Sequence, residues 1–339
     1  MPGRSVLYFA PDFCMMPDRR ALAENLTAIV EGRSTGPHVF LPLLHAVAAH
    51  VKAEPIRPFL TDATRLANGL MALYQSAGTD CVFVTCAALI EAEALGARLD
   101  WSSYPPRLIA CDLPPSEVGL ARLKQAMKCA RVTAAASACV RLNSTLPSQT
   151  AVGVGLTGPR RLAAELFSQR AELVTTAPAT PTSEELDCSG KITLAFARLF
   201  LEAGASVIVL LERMTDLDFE PERIADWADT VTPIINVAAF HRIPIVLLLK
   251  TGAHCTANAD VTEISGKCVV AIDGQLDTRD HLPKSASPID LYAEPSDVLL
   301  KTSRVIVTRD EVPLTADVAR LSGWTKRWRT AINSRSLGD

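Results

Sequence analysis

Aromatic side chains are scarce, at 5% of 339 residues, and charge is thin, at 21% with a formal net charge of −3. So few rings cannot furnish a stacking platform for bases, and a pI near 6.1 offers no basic stripe to a phosphate backbone. Nucleic acid and anionic membrane surfaces are therefore not expected partners. No uninterrupted apolar run approaches the roughly 18 residues that cross a bilayer, so no membrane span is expected. The opening MPGRSVLYFAPDF has no secretory h-region. There is no C-x-x-C pair, and the nine cysteines (Cys14, Cys81, Cys86, Cys111, Cys129, Cys139, Cys188, Cys255, Cys268) are odd in number and scattered. That excludes a disulfide framework and reads as mostly free, buried thiols in a reducing cytoplasm. No G-x-G-x-x-G, Walker loop, H-E-x-x-H or G-x-S-x-G occurs, and Gly153-x-Gly155 is too loose for a dinucleotide fingerprint. No linker rich in Gly or Ser divides the chain.

What is present is apolar residue, 48% of the chain, enough for a large core. Apolar runs alternate with helical spacing along the whole length. Strands are expected at 39–45, 81–85, 150–157, 205–211, 243–249, 267–272 and 304–307, with a short edge or linking strand at 109–113. Helices are expected at 20–32, 61–77, 116–132, 183–202 (capped by Ser183), 221–240 and 315–332. Further helical segments are expected to start at Arg160 and to end at 302. The last helix carries Trp324, Lys326, Arg327, Trp328 and Arg329, read as an exposed face and a possible partner surface. Alternation of β and α over this length argues for one α/β domain, a single (β/α)8 barrel over 20–339 after an irregular segment, 1–19. In such barrels, function gathers at the C-terminal ends of the strands.

Four segments carry a resemblance. Ala92-Glu93-Ala94-Leu95-Gly96 follows an apolar strand. Leu156-Thr157-Gly158-Pro159 is a strand-to-helix turn. Leu201-Glu202-Ala203-Gly204-Ala205 leads into a strand ending in Glu212, and Gly274-Gln275-Leu276-Asp277 forms a late turn. In this order they resemble the uroporphyrinogen decarboxylase superfamily over roughly 20–332, and TCAALIEAEALGA is similar to its methylcobalamin:thiol methyltransferase branch. The resemblance implies a distorted TIM-type barrel with a polar funnel. It also implies departures from the parent sites. Ala87 stands where the decarboxylase has an Asp, and Arg309-Asp310-Glu311-Val312-Pro313 stands at its late His turn. The N-terminal arginine-rich grip is absent. Lys250 lies where the methyltransferases hold zinc with His-x-Cys, and Asp310 stands at their later Cys. One βα unit is expected to be shortened near 252–267.

Candidate site residues follow from strand ends. Glu212 and Asp310 are expected to do acid/base work with His45. Lys250 and Arg309, with Thr85 and Asp277, are expected to bind a carboxylated small molecule. No cofactor is required by this decarboxylase-like reading. In the methyl-transfer reading a zinc ion or corrinoid is expected, with His254 and Cys255 as the substitute ligands. A barrel that has lost catalysis and serves as a binding protein is the third alternative. A homodimer is implied by the resemblance alone.

Overall fold

The structure, a computed structural model, describes residues 19–31, 33, 38–167, 180–215, 218, 220–251, 264, 266–273 and 286–336. Helix α1 (Arg19–Val30) precedes β1 (Val39–Leu41), which leads through α2 (Val47–Val51), α3 (Ile56–Thr61) and α4 (Ala63–Ala77) to β2 (Cys81–Cys86). Then come α5 (Ile90–Ala94), a hairpin of β3 (Arg98–Asp100) and β4 (Arg107–Ala110), α6 (Leu120–Ala126), α7 (Ala130–Thr145) and β5 (Ala151–Thr157). The second half runs α8 (Pro159–Phe167), α9 (Ser183–Glu202), β6 (Val207–Arg213), α10 (Pro221–Phe240), β7 (Ile245–Lys250) and β8 (Val269–Asp273). It closes with β9 (Ala286–Ile289), α11 (Asp297–Thr302), β10 (Val305–Thr308) and α12 (Val318–Ser336).

Setting the hairpin aside, eight strands among the described residues run parallel, in two ladders ordered β1-β10-β9 and β2-β5-β6-β7-β8. They enclose one lumen. A single buried cluster draws side chains from every one of the eight, for example Val39, Phe83, Ala151, Val209, Leu248, Ala271, Ala286 and Val305. Helix α1 adds Leu22, Leu26 and Ile29 to that cluster and lies beside Ser206, Pro244 and Lys267, at the starts of β6 to β8. It therefore packs at the N-terminal end. Alternate strand residues, such as Ile208, Leu210, Leu247 and Ile306, belong instead to the cluster shared with the helices. Successive strand side chains point to opposite faces, and both faces are buried. That is why CVFVTC and IVLLLK read as continuous apolar runs rather than alternating ones. The architecture is the TIM-type α/β barrel that the alternation implies.

The ladders break between β1 and β2 and between β8 and β9. Pro288 in β9 explains part of this, because a residue without an N–H is confined to a strand edge. Side chains bridge the β1–β2 seam. Asp80, beside β2, takes an N–H from Phe40 of β1 and a guanidinium bond of 2.6 Å from Arg329 of α12. On the other side of β1, toward β10, Leu43 N–H donates to Thr308 Oγ1 at 2.9 Å.

Several expectations are corrected. The cap of α9 is Thr182, whose hydroxyl accepts from Glu185 N–H while Glu185 returns a bond to Thr182 N–H. Ser183 is the first helical residue and donates to Asp226 instead. The helix expected at 116–132 is split: a 3-10 turn (Pro115–Glu117), then α6, then a turn at 127–129 before α7. No residue of that turn is a helix breaker, and the split sets α7 against α4 and α3. The strand at 109–113 is one arm of the β3–β4 hairpin, and β9 carries no sequence signal strong enough to be expected. Trp328 is 1% exposed, donates to Leu291 O and stacks on Phe40, and Arg329 turns inward to Asp80. The basic face of α12 is thus half structural. The shortening expected near 252–267 falls mostly outside the described residues. Among the described residues no helix is long and apolar enough to cross a membrane.

Gly158 joins β5 to α8, and a Cβ there would lie 2.4 Å from Glu212 Oε2. Gly158→Ala is expected to cost about 1–3 kcal/mol through overpacking, read from urea unfolding. A change within a few tenths of wild type would show that this joint yields.

Candidate active site

The C-terminal ends of the strands carry the polar residues of the barrel. Continuing the lumen parity of Val246-Leu248 and Val269-Ala271 brings Lys250 and Asp273 inward at the tops of β7 and β8. These two are register partners, and the turn after β10 presents the opposite order of charge to them. Arg309 Nε lies 3.2 Å from Asp273 Oδ1, and Lys250 pairs with Asp310. The result is a square of alternating charge across the mouth, skipping β9. Asp310, expected to do acid/base work, is the exposed partner of Lys250.

The third residue of that turn, Glu311, turns toward the end of the neighbouring strand, β1. It accepts from Ala46 N–H at 2.7 Å and from the Tyr104 hydroxyl at 2.8 Å, and its Oε1 lies 3.3 Å from His45 Nδ1. His45 is 2% exposed and follows β1 in an irregular segment, because the strand ends at Leu41 rather than running to 45. Neither ring nitrogen has a hydrogen-bond partner, so the Glu311 contact is a charge contact only. Thr85 Oγ1, on β2, is likewise buried and unpartnered. Cys86 lies beside them, its thiol pushed well up by burial and then by the Glu311 charge. Burial and Glu311 push the Tyr104 hydroxyl up in the same way.

The chain leaves β2 in an unusual conformation. Ala87, Ala88 and Leu89 have φ of 62°, 48° and 60°, three left-handed residues in a row with no glycine among them. Each is disfavoured by its Cβ, so surrounding contacts must hold the turn. Arg131 of α7 supplies them: both terminal nitrogens lie 3.3 Å from Ala88 O, and Nη1 bonds Glu93 at 2.8 Å. Its guanidinium also sits 5.0 Å from the Trp101 ring centre, at the hairpin tip that carries Tyr104. Glu91, fully buried, takes both Thr157 N–H and Thr157 Oγ1 at 2.8 Å.

Glu212, expected to do acid/base work, sits at the end of β6 and is paired. It follows the outward parity of Ile208 and Leu210, so it faces the helices rather than the lumen. Both oxygens are engaged: Oε2 by Arg160 N–H (3.1 Å) and Trp227 Nε1–H (2.9 Å), Oε1 by Arg161 N–H (2.6 Å) and Arg213 N–H (3.2 Å). Burial pushes its carboxyl up, and the four donors pull it back. The carboxylate anchors the first turn of α8, where the free N–H groups of a helix favour an anion. Nearby, Glu165 accepts from Arg161 Nε at 2.8 Å, while its Oε2 is buried without a partner.

Asp277, His254 and Cys255 lie outside the described residues. Among the described residues no three His, Cys, Asp or Glu side chains converge to hold a metal, and Lys250 is committed to Asp310. The described residues therefore do not fit the zinc set that the methyltransferase resemblance implies. Glu311, Tyr104 and Arg131 were not singled out from sequence as site residues. Glu311 had a signal, its place in the charged turn after the last strand. Tyr104, in a two-proline loop, had none.

The sequence profile described as uroporphyrinogen decarboxylase (URO-D) matches residues 24–282. No curated protein matches the sequence. Among solved structures, a methyltransferase from Methanosarcina mazei superposes with a TM-score of 0.61 at 14% identity, covering 91% of this chain and 98% of that one. This likeness concerns the fold. A 2,3-dimethylmalate lyase of the PEP mutase/isocitrate lyase superfamily superposes with a TM-score of 0.37 at 10% identity, covering 94% and 84%, and carries no argument.

Burial raises the Glu165 carboxyl above its ordinary value, against the pull of Arg161. The folded chain then holds that proton to higher pH than the unfolded chain does. Stability is expected to fall as pH rises from the ordinary carboxylate value through the raised one. Glu165→Gln should flatten this part of a urea-derived stability profile, and an unchanged slope would remove Glu165 as its source.

Proposed function

The chain belongs to the uroporphyrinogen decarboxylase family, and from that premise we propose that it is an enzyme with decarboxylase-like lyase chemistry on a carboxylated small molecule. The observation that carries this reading is the His45–Glu311–Tyr104 constellation at the mouth, with His45 Nε2 left free.

Loss of CO₂ breaks one C–C bond and leaves its electron pair on carbon. The reaction then needs one proton at that carbon. Protonated His45 donates it from Nε2, while the Glu311 carboxylate, 3.3 Å from Nδ1, stabilises the imidazolium before transfer. Solvent restores the proton afterwards. Tyr104 and Ala46 N–H hold Glu311 in place, so they are positioning groups. Lys250 and Arg309 receive substrate carboxylates by exchanging with Asp310 and Asp273, which keeps the mouth neutral when it is empty. Thr85 Oγ1 offers a further donor inside the mouth. In this reading Glu212 supports the β6–α8 joint and does not touch substrate.

A panel of small di- and tricarboxylates assayed for CO₂ release in D₂O tests the reading. The product should carry one solvent deuterium at the carbon that lost CO₂. His45→Gln should slow turnover by about 10²- to 10⁴-fold, and Glu311→Gln should also slow it. Full activity in His45→Gln would sink the mechanism. Methyl transfer to a thiol without CO₂ release would replace the reaction class. Binding of a carboxylate with no turnover would favour the barrel that only binds.

A further inference from the structure

Arg213, the last residue of β6, is a charge that the mouth leaves unspent. Leu211, two residues before it, faces the lumen, so strand alternation turns Arg213 inward as well. Its register partner is Lys250 of β7, and the partner of Lys250 is Asp273 of β8. Three charged residues of one parity thus stand side by side on the rim. Asp310 pairs with Lys250, and Asp273 pairs with Arg309. Among the described residues no carboxylate pairs with Arg213, and the residue is exposed, so a ligand in the mouth can reach it. We propose that Arg213 is a substrate-binding residue that grips one carboxylate of a substrate carrying at least two, the second being the one that leaves.

One further carboxylate feels this charge. Burial raises the Glu165 carboxyl of α8, and Arg161 and then Arg213 pull it back. Yet Glu165 Oε1 takes the Arg161 Nε–H bond at 2.8 Å and Oε2 is buried without a partner, so no bond ties Arg213 to it. Neighbouring strands lie about 4.8 Å apart, which sets Arg213 and Lys250 side by side with one carboxylate, Asp310, for the two of them. Like charges so close repel, and an incoming anion relieves the repulsion. The planar guanidinium can take a carboxylate through two parallel N–H bonds, which gives the grip a direction as well as a charge.

The order of the strands selects the substrate. Round the barrel, β2 and β5 stand between β1 and β6, so Arg213 lies on the far side of the lumen from His45, which follows β1. A carboxylate held on Arg213 is stabilised in its charged form and turned away from the proton donor. It is therefore not the group lost as CO₂, and a second carboxylate must extend toward His45. The role of that second carboxylate rests on the lyase reading proposed for the mouth, whereas the grip of Arg213 does not.

Binding and turnover are measured separately. Saturation-transfer NMR on the whole chain uses succinate, glutarate and tricarballylate as probes, with butyrate as the one-carboxylate control. At least one of the three is expected to saturate at millimolar concentration, and butyrate to bind at least about tenfold more weakly. Arg213→Gln should weaken that binding about tenfold with Tm unchanged, because the residue is exposed and unpaired among the described residues. Arg213→Lys, which keeps the charge without the fork, should recover part of it. Lys191→Gln, at an exposed position on α9, should bind like wild type. Arg213→Gln binding like wild type would overturn the proposal, as would no saturable signal from any of the three probes or butyrate binding as tightly as they do. With any substrate that releases CO₂, Arg213→Gln should raise KM and leave kcat within about twofold. Probe binding lost in Arg213→Gln with no CO₂ released from any carboxylate would uphold the grip and remove the lyase reading. CO₂ release with KM unchanged in Arg213→Gln would do the reverse.

Discussion

A carboxylate removed from water must find donors, and at the top of this barrel the donors within reach are the backbone N–H groups of the next element. The structure is built on that constraint. Glu212 of β6 takes the first N–H groups of α8. Glu91 of α5 takes Thr157 at the end of β5. Glu311, after β10, takes Ala46 after β1. Each carboxylate fastens one βα unit to another, so the joints between units are set by charge-assisted bonds as well as by the apolar layers on either side. Where the ladder itself breaks, between β1 and β2, Asp80 makes the same kind of link to Phe40 N–H.

The fastening explains how a strained turn survives at the mouth. The left-handed run 87–89 has no glycine to relieve it. It persists because Arg131 grips Ala88 O from outside while Glu91 and Glu93, just beyond, are each tied down. Arg131 also stacks on Trp101, which links the turn to the hairpin that carries Tyr104. Turn, hairpin and Glu311 therefore form one rigid wall beside His45. A wall of this kind suits proton transfer, where a small displacement of the donor is costly.

Much of the fold was legible because burial on both strand faces writes itself as apolar runs such as VIVLLER and IVLLLK. The site was legible only in part. His45, Thr85, Lys250 and Arg309 were singled out because strand ends are where barrels expose polar groups. Glu212 was picked for the same reason, and the structure turns it to the helix side. Counting parity along β6 from Val207 sends Glu212 to the helix side and Lys250, by the same count along β7, to the lumen. That information lay in the sequence once the lumen face was known. Tyr104 and Arg131 left no trace, since a loop tyrosine and a helical arginine look alike wherever they point.

By itself the sequence determined the alternation of strand and helix and the residues at most joints, because each rests on local periodicity and turn chemistry. Which strand face looks inward, which carboxylate meets which N–H, and which wall Glu311 reaches were decided by tertiary structure alone. The reason is physical: those pairings join residues tens to hundreds of positions apart, and only closure of the barrel brings them within hydrogen-bond range.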